Sequence, residues 1–353
     1  MRAISVSLIA SILIAFTAVF SACDTSYVDS TDHMNEGIKL YSAGQISKAL
    51  DELKKAIEIY PENHKAHYQM GMIYNSPRVS DFVKAAEAFK RATEISKDNG
   101  EYWYYLGAAN HNEGNKLVAD KRGSDAVKFF EAGRDAFIQA VSADEYYAEA
   151  YYRLAQIYRE LGDISKAIDA YSNSINSDPT LTNEQGTAIG YLELGMLYLE
   201  YSFLDEALQV LRNGVANNPD DVQLQAQLGN VYLAQDRFEE ANHHFEKSYE
   251  TQQRLGGPNE HILPALYGLG LSYASLGDAA MLKSDIGGAM KQYEESSKWF
   301  DTFIANASGD SLQAQRIAAT GKVTEVKEMM KELKEGKLPQ FIIDRQKMES
   351  APK

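Results

Sequence analysis

Two pairs of histidines are the residues whose type and spacing come closest to metal chemistry. His64 and His67 are three residues apart, near one face of a helix start, and their ring nitrogens could in principle bind zinc. His243 and His244 are adjacent, so they cannot share one face of a helix. The first pair lacks a carboxylate or a third ligand at helical spacing. The sequence therefore predicts exposed or packed histidines and no metal site.

The chain of 353 residues carries no recognisable catalytic motif. It has no Gly-x-Ser-x-Gly, no His-Glu-x-x-His, no phosphate-binding Gly-x-x-x-x-Gly-Lys and no cysteine pair. Gly268 and Gly270 form half of a dinucleotide-binding motif, but no strand is predicted beside them, and close helix packing explains them better. We therefore expect no enzyme, no catalytic residue and no cofactor.

The single cysteine, Cys23, follows a segment that is typical of exported proteins. Arg2 is the only charge before Asp24, and residues 3–20 are apolar or small. A positive start, an apolar segment and small residues before a cleavage site indicate a secretory signal. The tripeptide Ser-Ala-Cys resembles a bacterial lipobox, which implies that residues 1–22 are removed and that the cysteine is lipidated.

Several acyl chains on Cys23 would anchor the protein stably, because two or more chains are needed for lasting membrane attachment. The alternatives are an ordinary signal with a chance cysteine and an uncleaved apolar anchor. We expect a polar tether over residues 23–32 and a location on the periplasmic face of a bacterial membrane. Asp24 resembles an inner-membrane retention signal in enteric bacteria, but the rule varies, so the choice of membrane stays open.

The charge balance excludes one class of partner. The chain contains 50 acidic and 35 basic residues, which gives a formal net charge of −15. Nucleic-acid binding needs a basic surface, and adsorption to anionic lipid needs a polybasic patch. We therefore expect no nucleic acid among the partners, and any membrane contact should depend on the acyl group.

A motif of small and large residues recurs about every thirty-four residues over roughly 30–305. Small residues let two antiparallel helices approach closely, and large ones fill the gaps beside them. The clearest copy consists of Tyr151, Leu154, Ala155, Tyr158, Gly162, Ile164, Ala167, Tyr171, Ser174 and Pro179. This pattern resembles the tetratricopeptide repeat (TPR), a helix–turn–helix unit that must stack on its neighbours to bury its apolar face.

The resemblance implies an all-α fold: a right-handed TPR solenoid of about seven repeats over 33–305. Residues 306–335 should form capping helices with a wet outer face, and 336–353 a tail. The second-helix pattern arrives fourteen residues late in the third repeat and seven residues late in the seventh, where Tyr293 is aligned with Gly270. These insertions predict long hairpins near 110–133 and 277–288 that protrude from the solenoid.

The first helix of each repeat lines the concave surface in TPR proteins, so the resemblance also implies a binding face. In this register the face is rich in Tyr, Met and Leu, which suits an apolar or amphipathic segment of another protein. Some of these side chains could instead pack against the neighbouring repeat. The candidate contact residues are Tyr68, Met72, Tyr104, His111, Tyr152, Gln156, Arg159, Leu192, Met196, Leu199 and Tyr267.

These observations predict a membrane-anchored scaffold or adaptor of the bacterial cell envelope. Its partners would be another envelope protein, or a peptide segment of one, and the bilayer through acylated Cys23. By resemblance, such adaptors act in the assembly of secretin, outer-membrane or cell-wall complexes. The alternatives are a carrier of a small apolar ligand inside the superhelix and a self-associating structural element.

Overall fold

The computed structural model describes residues 25–184, 186–256, 259–338 and 342–343. Within these ranges the chain is helical, with one isolated β-bridge between Thr182 and Ala188 and no β-strand. The chain divides into two compact units, Met1–Ser177 and Asp178–Lys353. The predicted signal and Cys23 lie outside the described residues. Among the helices that are described, none combines the length and apolar character that a membrane span requires.

The described part of the first unit is a series of four antiparallel hairpins. Consecutive helices pack against each other along the chain. The eight helices are α1 (25–42), α2 (Ile46–Ile59), α3 (His64–Asn75), α4 (Phe82–Ile95), α5 (Gly100–Ala119), α6 (Gly123–Ala143), α7 (Ala148–Glu160) and α8 (Ile164–Ser177).

The second unit contains three more hairpins and a final helix that packs on the last of them. Its helices are α9 (Ile189–Glu200), α10 (Leu204–Asn217), α11 (Val222–Ala234), α12 (Phe238–Leu255), α13 (Leu263–Leu282), α14 (Ile286–Asn306) and α15 (Gln313–Lys334). Short 3₁₀ turns precede α13 (Asn259–Ile262) and α15 (Asp310–Leu312). The predicted all-α class, with seven helical hairpins in the described residues, is confirmed.

The repeating small residue is needed because an aromatic or leucine side chain of the second helix lies against it. A Cβ on Gly71 would lie 2.6 Å from the ring of Phe89, and a Cβ on Gly229 would lie 2.6 Å from Phe245. Real Cβ atoms do not approach that closely. In these hairpins the large side chain of one helix therefore fills the space where the other helix has only a glycine.

The two long hairpins have the same construction, which differs from the sequence-based register. In the third hairpin Gly107 faces Phe137, and seven residues nearer the turn Gly114 faces Phe130. In the seventh hairpin Gly270 faces Phe300, and Gly277 faces Tyr293. The seventh hairpin is thus fourteen residues longer than the α11–α12 hairpin, as the third is, and the alignment of Tyr293 with Gly270 was wrong.

The turns fix this register independently. In the α7–α8 hairpin, Gly162 follows the small residue Ala155 by seven residues and has a φ of +78°. The corresponding residue of the seventh hairpin is Ser284, seven residues after Gly277, with a φ of +62°. Both connecting turns therefore share one left-handed conformation. The extra helical residues of the seventh hairpin are thus added at its base, the end away from the connecting turn.

The predicted tether is part of the fold from residue 25 onward. Residues 25–32 lie in α1, and Ser30 is fully buried. Its hydroxyl donates to the carbonyl oxygen of Ala56 at 2.7 Å and accepts from the amide of Asn63 at 2.8 Å. Ser30 is one of the polar residues that indicated a tether, and it instead forms hydrogen bonds between α1 and its neighbours.

The final helix covers the end of the seventh hairpin, which therefore does not project freely as predicted. Met281 and Tyr293 are buried in one cluster with Val326 and Leu333 of α15. Ile342, from the predicted tail, is 5% exposed and belongs to the same cluster. Ile342 and the apolar residues of α15 thus bury the tip of this hairpin.

Candidate partner-binding site

The three candidate tyrosines of the first unit are partly exposed and partly packed. The ring of Tyr68 lies 5.0 Å from Tyr102 and 5.8 Å from Phe89, measured between ring centroids. Its hydroxyl donates to Glu101 at 2.8 Å. Burial, together with this hydrogen bond, raises the pKa of Tyr68 far above its ordinary value, so the hydroxyl stays protonated.

Tyr104 and Tyr152 repeat this arrangement on α5 and α7. Tyr104 lies 5.6 Å from Phe137 and stacks on Tyr147 at 5.1 Å. Tyr152 lies 5.8 Å from Tyr171, and its hydroxyl accepts from the amide of Gln156 at 3.1 Å. Each ring therefore packs against the second helix of its own hairpin while keeping part of its surface accessible. The sequence left open whether these side chains form a binding surface or pack within the repeats, and the structure shows that they are partly accessible and partly packed.

Two candidate contact residues are inaccessible. His111 is 4% exposed and packs against Phe130, a ring that the lengthened hairpin provides. Burial, and next the nearby Arg153, lower the pKa of His111 to about 4, so the ring is neutral at pH 7. Leu192 is 7% exposed on α9, which packs against both α10 and α11. A leucine side chain is too short to reach past the packed helices to the surface, whereas a longer tyrosine side chain can do so.

The other candidate residues keep accessible surface. Met196 is 39% exposed on α9, the largest exposure among the large apolar candidates. Those with intermediate exposure are Met72, Gln156, Arg159, Leu199 and Tyr267. The face defined by the repeat register is thus accessible at most of the predicted positions, within each unit.

The second unit contains a half-open cavity of about 760 Å³ on this face. Leu233 of α11 and three residues of α13, Leu263, Tyr267 and Leu271, form one side of it. Leu312, at the end of the 3₁₀ turn before α15, and Ala314 and Ala318, in the first turns of α15, are also among the lining residues. Small-molecule and side-chain pockets commonly have volumes of about 300–1,000 Å³ and mostly apolar walls. This cavity has the size and lining of a binding site.

The polar groups of the cavity are few. Asn230, Ser308, Ser311 and Gln315 contribute uncharged polar groups, and Glu260 is the only charged residue among those that line it. Glu260 is exposed, at the mouth. The cavity can therefore hold apolar groups of a ligand and offers one carboxylate to a polar or cationic group beside them.

The sequence identified Tyr267 of this cavity but missed the contribution of α15. The start of α15 was interpreted only as a cap. Ala314 and Ala318 are four residues apart and so share one helix face, as the small residues of the other first helices do. That spacing was the feature of the sequence that could have revealed the contribution of α15. No sequence feature marked Glu260, since it lies in a 3₁₀ turn outside the repeat pattern.

Three of the four histidines in these pairs make hydrogen bonds. Nδ1 of His64 lies 2.8 Å from the Tyr102 hydroxyl, and Nε2 of His67 lies 3.1 Å from the carbonyl oxygen of Pro61. Nδ1 of His244 lies 2.8 Å from the side-chain oxygen of Gln225. In the part of the chain that the structure describes, no group of three or more His, Cys, Asp and Glu residues is placed to hold a metal ion.

Comparison with known proteins identifies the repeats. Family models of the tetratricopeptide repeat match residues 148–181 and 221–281. The first range contains the α7–α8 hairpin, and the second contains α11, α12 and most of α13. The chain therefore contains tetratricopeptide repeats. Proteins built from them usually mediate protein–protein interactions, and the fold is typical of proteins that bind without catalysing a reaction.

Curated relatives share these repeats at low identity. The chain is 26% identical over 195 residues to BBSome complex member bbs-4 of Caenorhabditis elegans, covering 55% of this chain and 39% of that protein. It is 22% identical over 343 residues to superkiller complex protein 3 of Mus musculus, covering 80% of this chain and 21% of that protein. The chain thus spans well under half the length of these relatives.

A solved structure supports the fold. The crystal structure of the C-terminal part of a TPR repeat-containing protein from Cytophaga hutchinsonii matches with a TM-score of 0.52 and 14% identity. The match covers 81% of this chain and 98% of that chain. At this identity the likeness concerns the fold alone.

Proposed function

We propose that this protein is an adaptor of the bacterial cell envelope, held on a membrane by acylated Cys23, that binds a segment of another protein on the first-helix face of its repeats. The observation that carries the binding part is the apolar cavity of about 760 Å³ in the second unit. A large, accessible apolar surface is costly in water, and it commonly marks an interaction site. The partly exposed tyrosines of the first unit support the same role.

The membrane part of the proposal depends on the segment that ends in Ser-Ala-Cys at position 23. Because residue 25 already lies in α1, acyl chains on Cys23 would place the first unit close to the bilayer surface. A Cys23→Ala variant expressed in a bacterium tests this part. We expect it to leave the membrane fraction, and we expect the unmodified protein to yield an acylated N-terminal peptide by mass spectrometry. An unacylated protein in the soluble fraction would contradict the anchor.

Site-specific photocrosslinking tests the binding face in the intact protein. A photoreactive amino acid is placed at Met196 or Tyr267 on the first helices and, as a control, at Glu206, which is exposed on α10, a second helix. We expect one envelope protein to be captured from both first-helix positions and not from the control. Equal capture from all three positions, or none from the first two, would count against this face.

A carrier of a small apolar ligand is a second candidate, favoured by the same cavity volume. Its lining is mostly apolar, with uncharged polar groups from Asn230 and Gln315 that could orient a ligand. Native mass spectrometry of the purified protein would reveal a bound molecule as added mass. Purified protein of the mass of the polypeptide and its acyl chains alone would favour the adaptor.

A further inference from the structure

The cavity of the second unit has one electrostatic feature that the apolar lining does not explain. Glu260 is its only charged lining residue. A carboxylate at the mouth of an apolar cavity favours a cation there and repels a second anion.

Two of the helices that line the cavity, α11 and α13, also lack basic residues, whereas α15 carries Arg316 next to the lining residue Gln315. The sequences of α9, α11 and α13 contain no Lys, Arg or His. Their charged residues are all acidic, namely Glu193, Glu200 and Asp278. In the first unit, by contrast, α7 carries two arginines. The first helices of the second unit's hairpins are therefore largely apolar and carry no positive charge.

We propose that this cavity binds an amphipathic helix of the partner protein whose apolar side chains enter it and whose Lys or Arg pairs with Glu260. The proposal rests on the function proposed above, that the first-helix face binds a protein segment. Apolar residues three and four positions apart form one stripe of a helix and can occupy one cavity together. Charge complementarity then selects a basic segment over an acidic one.

Two model peptides test this proposal. Both have eighteen residues and the same leucine stripe, and their other positions are lysine in one and glutamate in the other. The chain contains two tryptophans, so a Trp103→Phe background leaves Trp299 as the reporter. Trp299 packs against the apolar cluster that also contains Phe303 and contacts Tyr267, two residues that line the cavity. Titration at about 0.15 M salt, where long-range attraction is screened beyond roughly 8 Å, gives both dissociation constants.

We expect the lysine peptide to bind at least about tenfold more tightly than the glutamate peptide, which corresponds to about 1.4 kcal/mol. Glu260→Gln should reduce this ratio to threefold or less. The matched control is Glu206→Gln, which removes the same charge from an exposed position on α10 and should leave the ratio unchanged. A third peptide, with the lysine peptide's composition but its leucines spread around the helix, should bind at least tenfold more weakly.

Ala318→Trp and Gln315→Trp separate the two proposals. Both residues are exposed and line the cavity, so a tryptophan at either position should fill it without disturbing the core. Loss of binding of both peptides in these variants, with unchanged thermal unfolding, places the peptides in the cavity. Equal affinities for the two peptides, together with that loss, would overturn the charge preference and leave the proposed function standing. Binding of neither peptide, or binding that ignores both tryptophans, would overturn the site itself.

Discussion

The ring of Tyr293 packs against Gly277, sixteen residues earlier in the chain, and closes the tip of the seventh hairpin. The Tyr293 hydroxyl also donates to Asp278 at 2.6 Å. Phe130 and Gly114 have the same separation at the tip of the third hairpin. Both long hairpins therefore carry an ordinary repeat at the tip and a second glycine–aromatic contact at the base.

The first prediction concerns the missing side chain at this contact. Gly277→Ala would place a Cβ against the Tyr293 ring, which is fully buried and cannot move aside easily. We expect a loss of about 1–3 kcal/mol in the free energy of unfolding, as for other overpacked cores. Urea denaturation followed by circular dichroism measures this loss.

Gly321→Ala is the matched control for that variant. Gly321 lies inside α15, and a Cβ there would meet no atom within 4 Å. The same substitution should therefore stabilise the protein by about 0.5–1 kcal/mol, because alanine favours the helix. Changes of equal size and sign in the two variants would contradict the proposed packing of Gly277.

The second prediction concerns the turn conformation shared by the hairpins. Ser202 has a φ of +60° in the α9–α10 turn, where Gly162 occupies the same position of the α7–α8 turn with +78°. A left-handed residue with a Cβ costs roughly 1–2 kcal/mol, partly offset by the flexibility of glycine in the unfolded chain. We expect Ser202→Gly to raise the midpoint of urea unfolding and Gly162→Ala to lower it. Opposite or absent shifts would show that this position tolerates a side chain.

The third prediction concerns pH. The pKa of His111 is about 4 in the folded protein and about 6.5 in an unfolded chain. Between these values the unfolded state binds more protons, so stability falls as the pH is lowered from 6.5 towards 4. The loss from this residue should be on the order of 3 kcal/mol at pH 4.

His111→Gln should remove this part of the pH dependence. Urea midpoints at pH 7, 5.5 and 4.5 provide the measurement. His244, whose pKa burial also lowers to about 4, lies in the other unit. His244→Gln should therefore remove a separate part of the slope. An unchanged slope in His111→Gln would mean that His111 is solvated.

The fourth prediction tests whether the start of α1 belongs to the folded unit. Ser30→Ala removes a buried hydroxyl and leaves the Asn63 amide without that acceptor. Leaving a buried polar group unsatisfied costs about 1–3 kcal/mol. Thr31→Ala is the control, because its hydroxyl bonds only to Tyr27 within the same helix, in an exposed position. Equal, small losses of stability in both variants would mean that residues 25–32 act as a tether and not as part of the folded unit.

The sequence by itself determined the class of fold and the number of hairpins. Small residues at a period of about thirty-four positions, as in Ala155 and Gly229, are required wherever two helices cross closely, so they are visible without coordinates. The same register located most of the accessible first-helix positions, including Met196 and Tyr267. These features depend on contacts between residues close in the chain, which a repeat pattern encodes directly.

Only the tertiary structure decided the register of the seventh hairpin and the shape of the candidate site. Gly270 and Gly277 are seven residues apart, as are Tyr293 and Phe300, so the sequence pattern fits more than one pairing. Choosing between pairings requires knowing which ring lies against which glycine. The cavity likewise depends on where α15 begins relative to α13, and its single carboxylate, Glu260, comes from a turn that no periodic pattern marks. Local spacing is written in the sequence, whereas the space between distant helices is fixed only when they pack.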